Sequence, residues 1–153
     1  ASLVERYRYM TNCLVLGRGL NYATAFEFSI KMKELTYTHA DPYSSADFMH
    51  GPFALVEQGT PVFLLAPGET MALDMKTMIE KVKERGAEVI VLSDQDELLK
   101  LADRSLSLPK GVPEWLSPIT TIVPGQMFAM YLAKTRGYDP DTPRALNKVT
   151  ETW

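Results

Sequence analysis

The chain alternates short continuous apolar runs with longer segments of helical period. Residues 13–16, 61–67 and 88–93 read as buried strands, and residues 36–42 and 105–108 as two weaker ones. Helices are predicted over residues 22–35, with Asn21 as N-cap, and from the capping-box-like Ser44-Ser45-Ala46-Asp47 to about residue 56. Further helices are predicted over residues 69–85, closed by Gly86, over 96–102, and over 117–136, the last broken or offset near Pro124-Gly125. A polar, proline-containing tail occupies residues 137–153. This alternation predicts a doubly wound, flavodoxin-like α/β fold: a mostly parallel five-stranded sheet with helices on both faces, plus an irregular C-terminal tail. At 153 residues the chain suits one domain. Ligands of such sheets sit at the carboxyl ends of the strands, which here carry the 17–21 loop, the 67–70 loop and the turn after Ser93.

Charge narrows the partners. A net charge of −3 is a poor match for nucleic acid or an anionic membrane, so an anionic substrate needs a local cluster of donors. No apolar run approaches the ~20 residues of a membrane span. The single cysteine, Cys13, cannot form an intrachain disulfide and lies in an apolar run, as expected of core packing in a cytoplasmic protein. The abrupt N-terminal segment reads as the edge of an excised domain.

Candidate chemistry starts on the first long helix. At ~100° per residue, Glu27, Lys31 and Glu34 fall within about 60° of one another, while apolar side chains fill most of the remaining circumference. Such a narrow stripe of mixed charge either lines a cleft or forms two ion pairs on an exposed edge. Lys33 falls within the apolar arc, where it snorkels or meets a partner chain. His39 and His50 are the two histidines, and neither has ligand spacing to a second metal-binding side chain, so no metal is expected. Gly17-Arg18-Gly19 follows a strand and precedes a helix, but Tyr22 occupies the third glycine position of a dinucleotide fingerprint. No nicotinamide or flavin cofactor is expected. The turn reads instead as a close backbone approach able to accept a phosphate or hydroxyl at a helix start. No GxSxG or phosphate-cradling GxxxxGK[ST] is present.

Five segments in order resemble the sugar isomerase (SIS) family, in particular the C-terminal SIS half of the glucosamine-6-phosphate synthase and deaminase group. They are Leu16-Gly17-Arg18-Gly19; Glu27-x-x-x-Lys31-Met32-Lys33-Glu34-Leu35; His39-Ala40 with Tyr43; His50-Gly51-Pro52; and Pro143-Arg144-x-Leu146-x-Lys148-Val149-Thr150. The resemblance spans nearly the whole chain and implies a single SIS domain over residues 1–153.

What the resemblance implies is an aldose–ketose isomerase site for a phosphorylated amino sugar. Glu34 matches the base that moves a proton between C1 and C2, and His50 matches a residue that assists ring opening in a neighbouring subunit's site. Lys148 matches a tail lysine that approaches the carbonyl carbon. Glu27, Lys31, Arg18 and Gly19 match substrate-lining positions. A buried carboxylate within reach of two carbons, charge stabilisation for the enediol and a lysine at C2 are the groups this reaction needs. The family's phosphate loop and a glutamine-hydrolysing domain have no counterpart in this chain. Ala46-Asp47-Phe48-Met49 before the histidine, together with Tyr43-Ser44-Ser45 and the 148–152 ending, looks more like the deaminase branch. The expectation is therefore the second half of a two-SIS parent, homodimeric, converting glucosamine 6-phosphate to fructose 6-phosphate with loss of ammonia. The isomerase domain of a glutamine–fructose-6-phosphate aminotransferase and a non-catalytic sugar-phosphate sensor are the alternatives. The isolated chain is expected to self-associate and to be nearly inactive, because its phosphate anchor lies elsewhere.

Overall fold

A computed structural model describes residues 2–144. Five strands form one all-parallel sheet: β1 (Asn12–Gly17), β2 (His39–Ser44), β3 (Pro61–Leu65), β4 (Glu88–Ser93) and β5 (Arg104–Ser107), in the spatial order β2-β1-β3-β4-β5. This is the flavodoxin-like order expected from the alternation. The helices are α1 (Ser2–Glu5), α2 (Leu20–Thr36), α3 (Ser45–Phe48), α4 (Ala72–Glu84), α5 (Asp96–Leu101) and α6 (Ser117–Thr135).

Successive strand residues point to opposite faces and build two cores. Cys13, Val15, Phe63, Leu65, Ile90 and Leu92 pack beneath α1, α2 and α6. Leu14, Leu16, Val62, Leu64, Val89 and Val91 pack with Phe48 and beneath α4 and α5. The first core centres on aromatic rings: Phe63 lies 5.1 Å from Phe28 and 5.0 Å from Phe128, and Tyr7 lies 5.5 Å from Phe128, all in tilted or edge-on contacts.

The helix boundaries depart from expectation in several places. α2 starts at Leu20 with Gly19 as N-cap, so Asn21 is already helical. Its amide donates across to Ser117 Oγ at 2.8 Å instead of capping. The helix predicted to run to residue 56 is a single turn, α3, followed by a 3-10 turn at Pro52–Leu55. Gly51-Pro52 ends it, because proline disfavours a helical residue before it, and Ser44 makes no side-chain cap. α4 begins at Ala72 because Gly68 turns the chain, its N–H held by Asp94 Oδ1 at 2.8 Å. α6 is unbroken through Pro124. What Gly125 supplies is proximity: a Cβ there would stand 3.1 Å from the Phe28 ring. The short α1 had no signal in the apolar pattern.

α2 and α6 run parallel. Asn21 meets Ser117 near their starts, Phe28 meets Gly125 at mid-length, and Arg136 meets Thr36 at their ends. The half-buried Arg136 guanidinium donates to the carbonyls of Tyr7, Arg8, Met10 and Thr36 and to Thr38 Oγ1, joining α1, the ends of α2 and α6, and the lead into β2.

Arg136→Met removes a donor from all five acceptors and leaves the Arg8, Met10 and Thr36 carbonyls without the bonds that tie the helix ends together, and we expect it to lower stability by about 3 kcal/mol in urea denaturation. Cys13 is fully buried, and that burial, reinforced by Asp41, pushes its thiol up to about 12. Ellman's reagent at pH 8 is therefore expected to leave the folded chain unlabelled and to label one thiol after denaturation.

Candidate functional site

The crossover helix α2 presents three distinct surfaces. Asn21, Thr24, Ala25, Phe28, Ser29, Met32 and Thr36 are buried against the sheet and α6. Beside them runs the charged stripe. Lys31 Nζ lies 2.9 Å from Glu34 Oε2 and 3.6 Å from Glu27 Oε1, so one ammonium bridges two carboxylates. The hydrogen bond to Glu34 is the main cause raising the Lys31 pKa, with Glu27 adding to it. A fixed cation touching Glu34 can stabilise the anion that forms when a proton leaves a sugar carbon.

The third surface consists of apolar side chains of the remaining circumference that are not buried. Tyr22, Phe26 and Ile30 are 38%, 45% and 42% exposed. On α6, Ile119, Val123, Met127 and Tyr131 form a second exposed ladder at four-residue spacing. The ties between the two helices set these two apolar ladders level along the helix axes. The Glu27–Lys31–Glu34 stripe lies beside the α2 ladder on the same helix. Lys33 is exposed beside the ladder, where its charged end reaches water.

The carboxyl edge of the sheet, where a ligand is expected, is tightly turned at one point and acidic further along. At the β1/β3 switch point, Gly17 makes so tight a turn that a Cβ would stand 2.1 Å from the Asn21 carbonyl oxygen. The crevice there, lined by Arg18, Asn21, Pro67 and Gly68, has about 20 Å³, room for about one water. Arg18 pairs with Asp74 at 3.2 Å. A wider cavity of about 620 Å³ lies further along this edge, lined by Glu69, Asp94, Asp96, Glu97 and Glu114 against the single cation Lys110. That lining repels a phosphate.

The sequence-derived site residues are therefore brought together only in part. Glu27, Lys31 and Glu34 form one ion-paired stripe. Arg18 and Gly19 precede α2, roughly 20 Å from Glu34 along its axis. His50 is exposed in the segment after α3, which packs with Phe48 and Phe53 on the opposite face of the sheet from α2. No hydrogen bond or ion pair joins it to Glu34 among the described residues. Lys148 lies outside the described residues. Sequence reasoning missed Tyr37 and Tyr138, whose rings flank Arg144 at the carboxyl end of α2. Isolated tyrosines at the ends of two distant helices carry no local signal that they meet.

A flavodoxin-ordered parallel sheet whose crossover helix displays a carboxylate–lysine–carboxylate stripe defines a doubly wound α/β domain. The family model described as SIS domain matches residues 10–150, and the chain belongs to that family. It is 46% identical over 133 residues to the glutamine–fructose-6-phosphate aminotransferase (isomerizing) of Pyrococcus horikoshii, covering 87% of this chain and 22% of that protein. To the same enzyme of Thermococcus kodakarensis it is 42% identical over 146 residues, 95% of this chain and 24% of the relative. The chain thus spans about a quarter of the length of the curated relatives it matches. Among solved structures, the C-terminal domain of glucosamine-fructose-6-phosphate aminotransferase from Francisella tularensis superposes with a TM-score of 0.83 at 29% identity, over 92% of this chain and 40% of that one. Glucosamine-6-phosphate deaminase from Thermotoga maritima gives 0.71 at 25% identity, over 96% and 44%. No helix among the described residues is long and apolar enough to cross a membrane.

Gly17→Ala is expected to destabilise the chain by at least about 2 kcal/mol, because the clash is with backbone that cannot step aside, and denaturant titration reads it directly.

Proposed function

We propose that this chain is the second SIS half of an isomerase that interconverts glucosamine 6-phosphate and fructose 6-phosphate in the cytoplasm. The observation that carries the reading is the Glu27–Lys31–Glu34 stripe beside the exposed apolar ladder of α2. Glu34 takes a proton from one sugar carbon and returns it to the neighbouring one. Lys31 holds Glu34 in place by its hydrogen bond and offsets negative charge developing on the enediol. Lys148 approaches the carbonyl carbon and carries it as an imine.

The exposed α2 and α6 ladders are covered by the preceding SIS half, which also brings the phosphate anchor. Three observations support that occupant. The ladders are apolar and that of α2 lies beside the stripe, the carboxyl edge is too acidic for phosphate, and the chain covers only 40–44% of the two solved relatives. His50, on the other side of the sheet, serves the site of a second subunit. Its separation from Glu34 within one chain is what such an exchange requires.

With ammonia released, the enzyme is a deaminase. The isomerase half of a glutamine–fructose-6-phosphate aminotransferase is the second reading, favoured by the 46% and 42% identities to enzymes of that name. The two readings share the site and differ in the fate of the nitrogen.

In the intact protein, Glu34→Gln is expected to lower interconversion of the two sugar phosphates by at least ~100-fold while binding persists. Turnover at the wild-type rate would remove Glu34 as the base. Ammonia release without glutamine distinguishes the deaminase from the aminotransferase. Mixing the inactive Glu34→Gln and His50→Ala proteins under subunit exchange should restore up to about a quarter of wild-type activity, since half of the random dimers rebuild one intact site. Failure to complement would return His50 to its own subunit's site or to none.

A further inference from the structure

His50 sits on a short span of chain held at both ends. On one side is Phe48, fully buried and with its ring 5.5 Å from that of Tyr43. On the other is Phe53, whose ring stands edge-on to Phe48 at 6.0 Å and 86°. Between the two rings runs Met49-His50-Gly51-Pro52, in which His50 alone carries a titratable side chain. The His50 N–H donates to the Asp47 carbonyl at 2.9 Å, and the Gly51 carbonyl accepts from the Ala54 N–H at 3.0 Å. The backbone around His50 is thereby tied on both sides, while the residue itself is exposed.

The Phe53 side is held by the end of α4. The Arg85 guanidinium carbon lies 5.2 Å from the centre of the Phe53 ring, and Arg85 Nε donates to the Val56 carbonyl at 3.0 Å. A planar cation that stacks on a ring and also donates to the main chain just beyond it fixes that turn in both position and direction. Arg85 is the C-cap of α4, and Gly86 follows it at φ 85°. The Gly86 carbonyl accepts from the Gly59 N–H at 2.8 Å, and the Glu88 N–H donates to the Thr60 carbonyl at 3.0 Å. A Cβ on Gly86 would stand 2.1 Å from Gln58 Oε1, so the chain after the turn packs closely on the same corner. The end of α4 thus grips the chain from Phe53 to Thr60, directly downstream of His50.

We infer that Arg85 is a positioning residue that acts through His50: with Phe53 it forms a mount that holds the histidine's backbone fixed at the surface, ready to enter a second subunit's site. The inference rests on the role proposed above for His50. A group delivered to another chain's substrate from an exposed segment acts only from the right place, and a displacement of about 1 Å can cost up to ~100-fold in rate. The buried Phe48 anchors the upstream end by itself. The downstream end depends on the Arg85 contacts, because the Phe53 ring is only partly buried. Neither Arg85 nor Phe53 touches substrate; both act on where His50 stands.

Subunit exchange in the intact protein tests this, with sugar-phosphate interconversion as the readout. Arg85→Ala is expected to lower kcat ~10-fold with KM changed less than ~2-fold. Arg85→Lys, which keeps a cation over Phe53, is expected to recover part of the loss. The defect lies on the His50 side, so each mixed dimer of Arg85→Ala and Glu34→Gln rebuilds one intact site. Exchange of those two proteins is expected to raise activity about fivefold, from roughly 5% to roughly 25% of wild type. Exchange of Arg85→Ala with His50→Ala rebuilds no intact site, and activity is expected to stay at the mean of the two. A loss of folding confined to the altered subunit gives no rise in either mixture. Phe53→Leu removes the ring beneath the guanidinium and keeps an apolar side chain, and it is expected to complement in the same way, which covers misfolding of the alanine variant. Wild-type kcat in Arg85→Ala, or no rise with Glu34→Gln where His50→Ala does complement it, overturns the mount and leaves the reading of the site intact. Failure of His50→Ala to complement Glu34→Gln removes His50 from the neighbouring site and the mount with it.

Discussion

The Arg136 guanidinium is the interaction on which the rest of the domain depends. An arginine cannot lose its charge at any ordinary pH, and burial already lowers its pKa. Here the charge meets only dipoles: four carbonyls and one hydroxyl, from Tyr7, Arg8, Met10, Thr36 and Thr38. These acceptors lie where α1 and α2 stop and β2 has yet to begin. One side chain satisfies them together and so fixes the ends of α2 and α6 to each other. With Asn21 on Ser117 at the opposite end and Phe28 against Gly125 between, the two helices can take only one register. That register sets the two apolar ladders level and brings Tyr37 and Tyr138 together at the far end.

Much of this fold was legible in the residue pattern, because parallel strands buried on both faces are continuous apolar runs and leave little ambiguity. The sheet, its order and the long helices follow from that rule. Helix ends were less legible. Asn21 looks like a cap, yet its amide serves a tertiary hydrogen bond to a residue 96 positions away. Pro124 looks like a break, yet α6 continues through it, packed beside α2. In the site, the Glu27–Lys31–Glu34 stripe was readable because helical period alone puts three residues together. The surface beside it was not. Periodicity marks Tyr22, Phe26 and Ile30 as apolar, but cannot say whether their cover lies in the same domain. His50 was visible as a lone histidine, while its place across the sheet from Glu34 depends on which core Phe48 joins.

The fold's usual ligand position and this domain's charged stripe are different places. α2, α4 and α6 all begin at the carboxyl edge of the sheet, so their positive ends point there. In many such domains that field gathers a phosphate. Here Asp94, Asp96, Glu97 and Glu114 face it and Asp74 holds Arg18, so the field is answered from within the chain. The stripe on α2 lies further down the helix wall, where an ion-paired lysine supplies the positive charge instead.

The exposed apolar ladders also bear on how the domain's stability is to be understood. Anything that covers Tyr22, Phe26, Ile30 and the α6 ladder recognises the folded helix pair and not the unfolded chain. Its binding free energy therefore adds to the folding free energy, growing with the logarithm of its concentration. A covalently attached partner would act at a fixed, high local concentration, and the coupling would be constant. Folding of the sheet and completion of the active site would then be two readouts of one thermodynamic linkage, with the register of α2 and α6 as the shared variable.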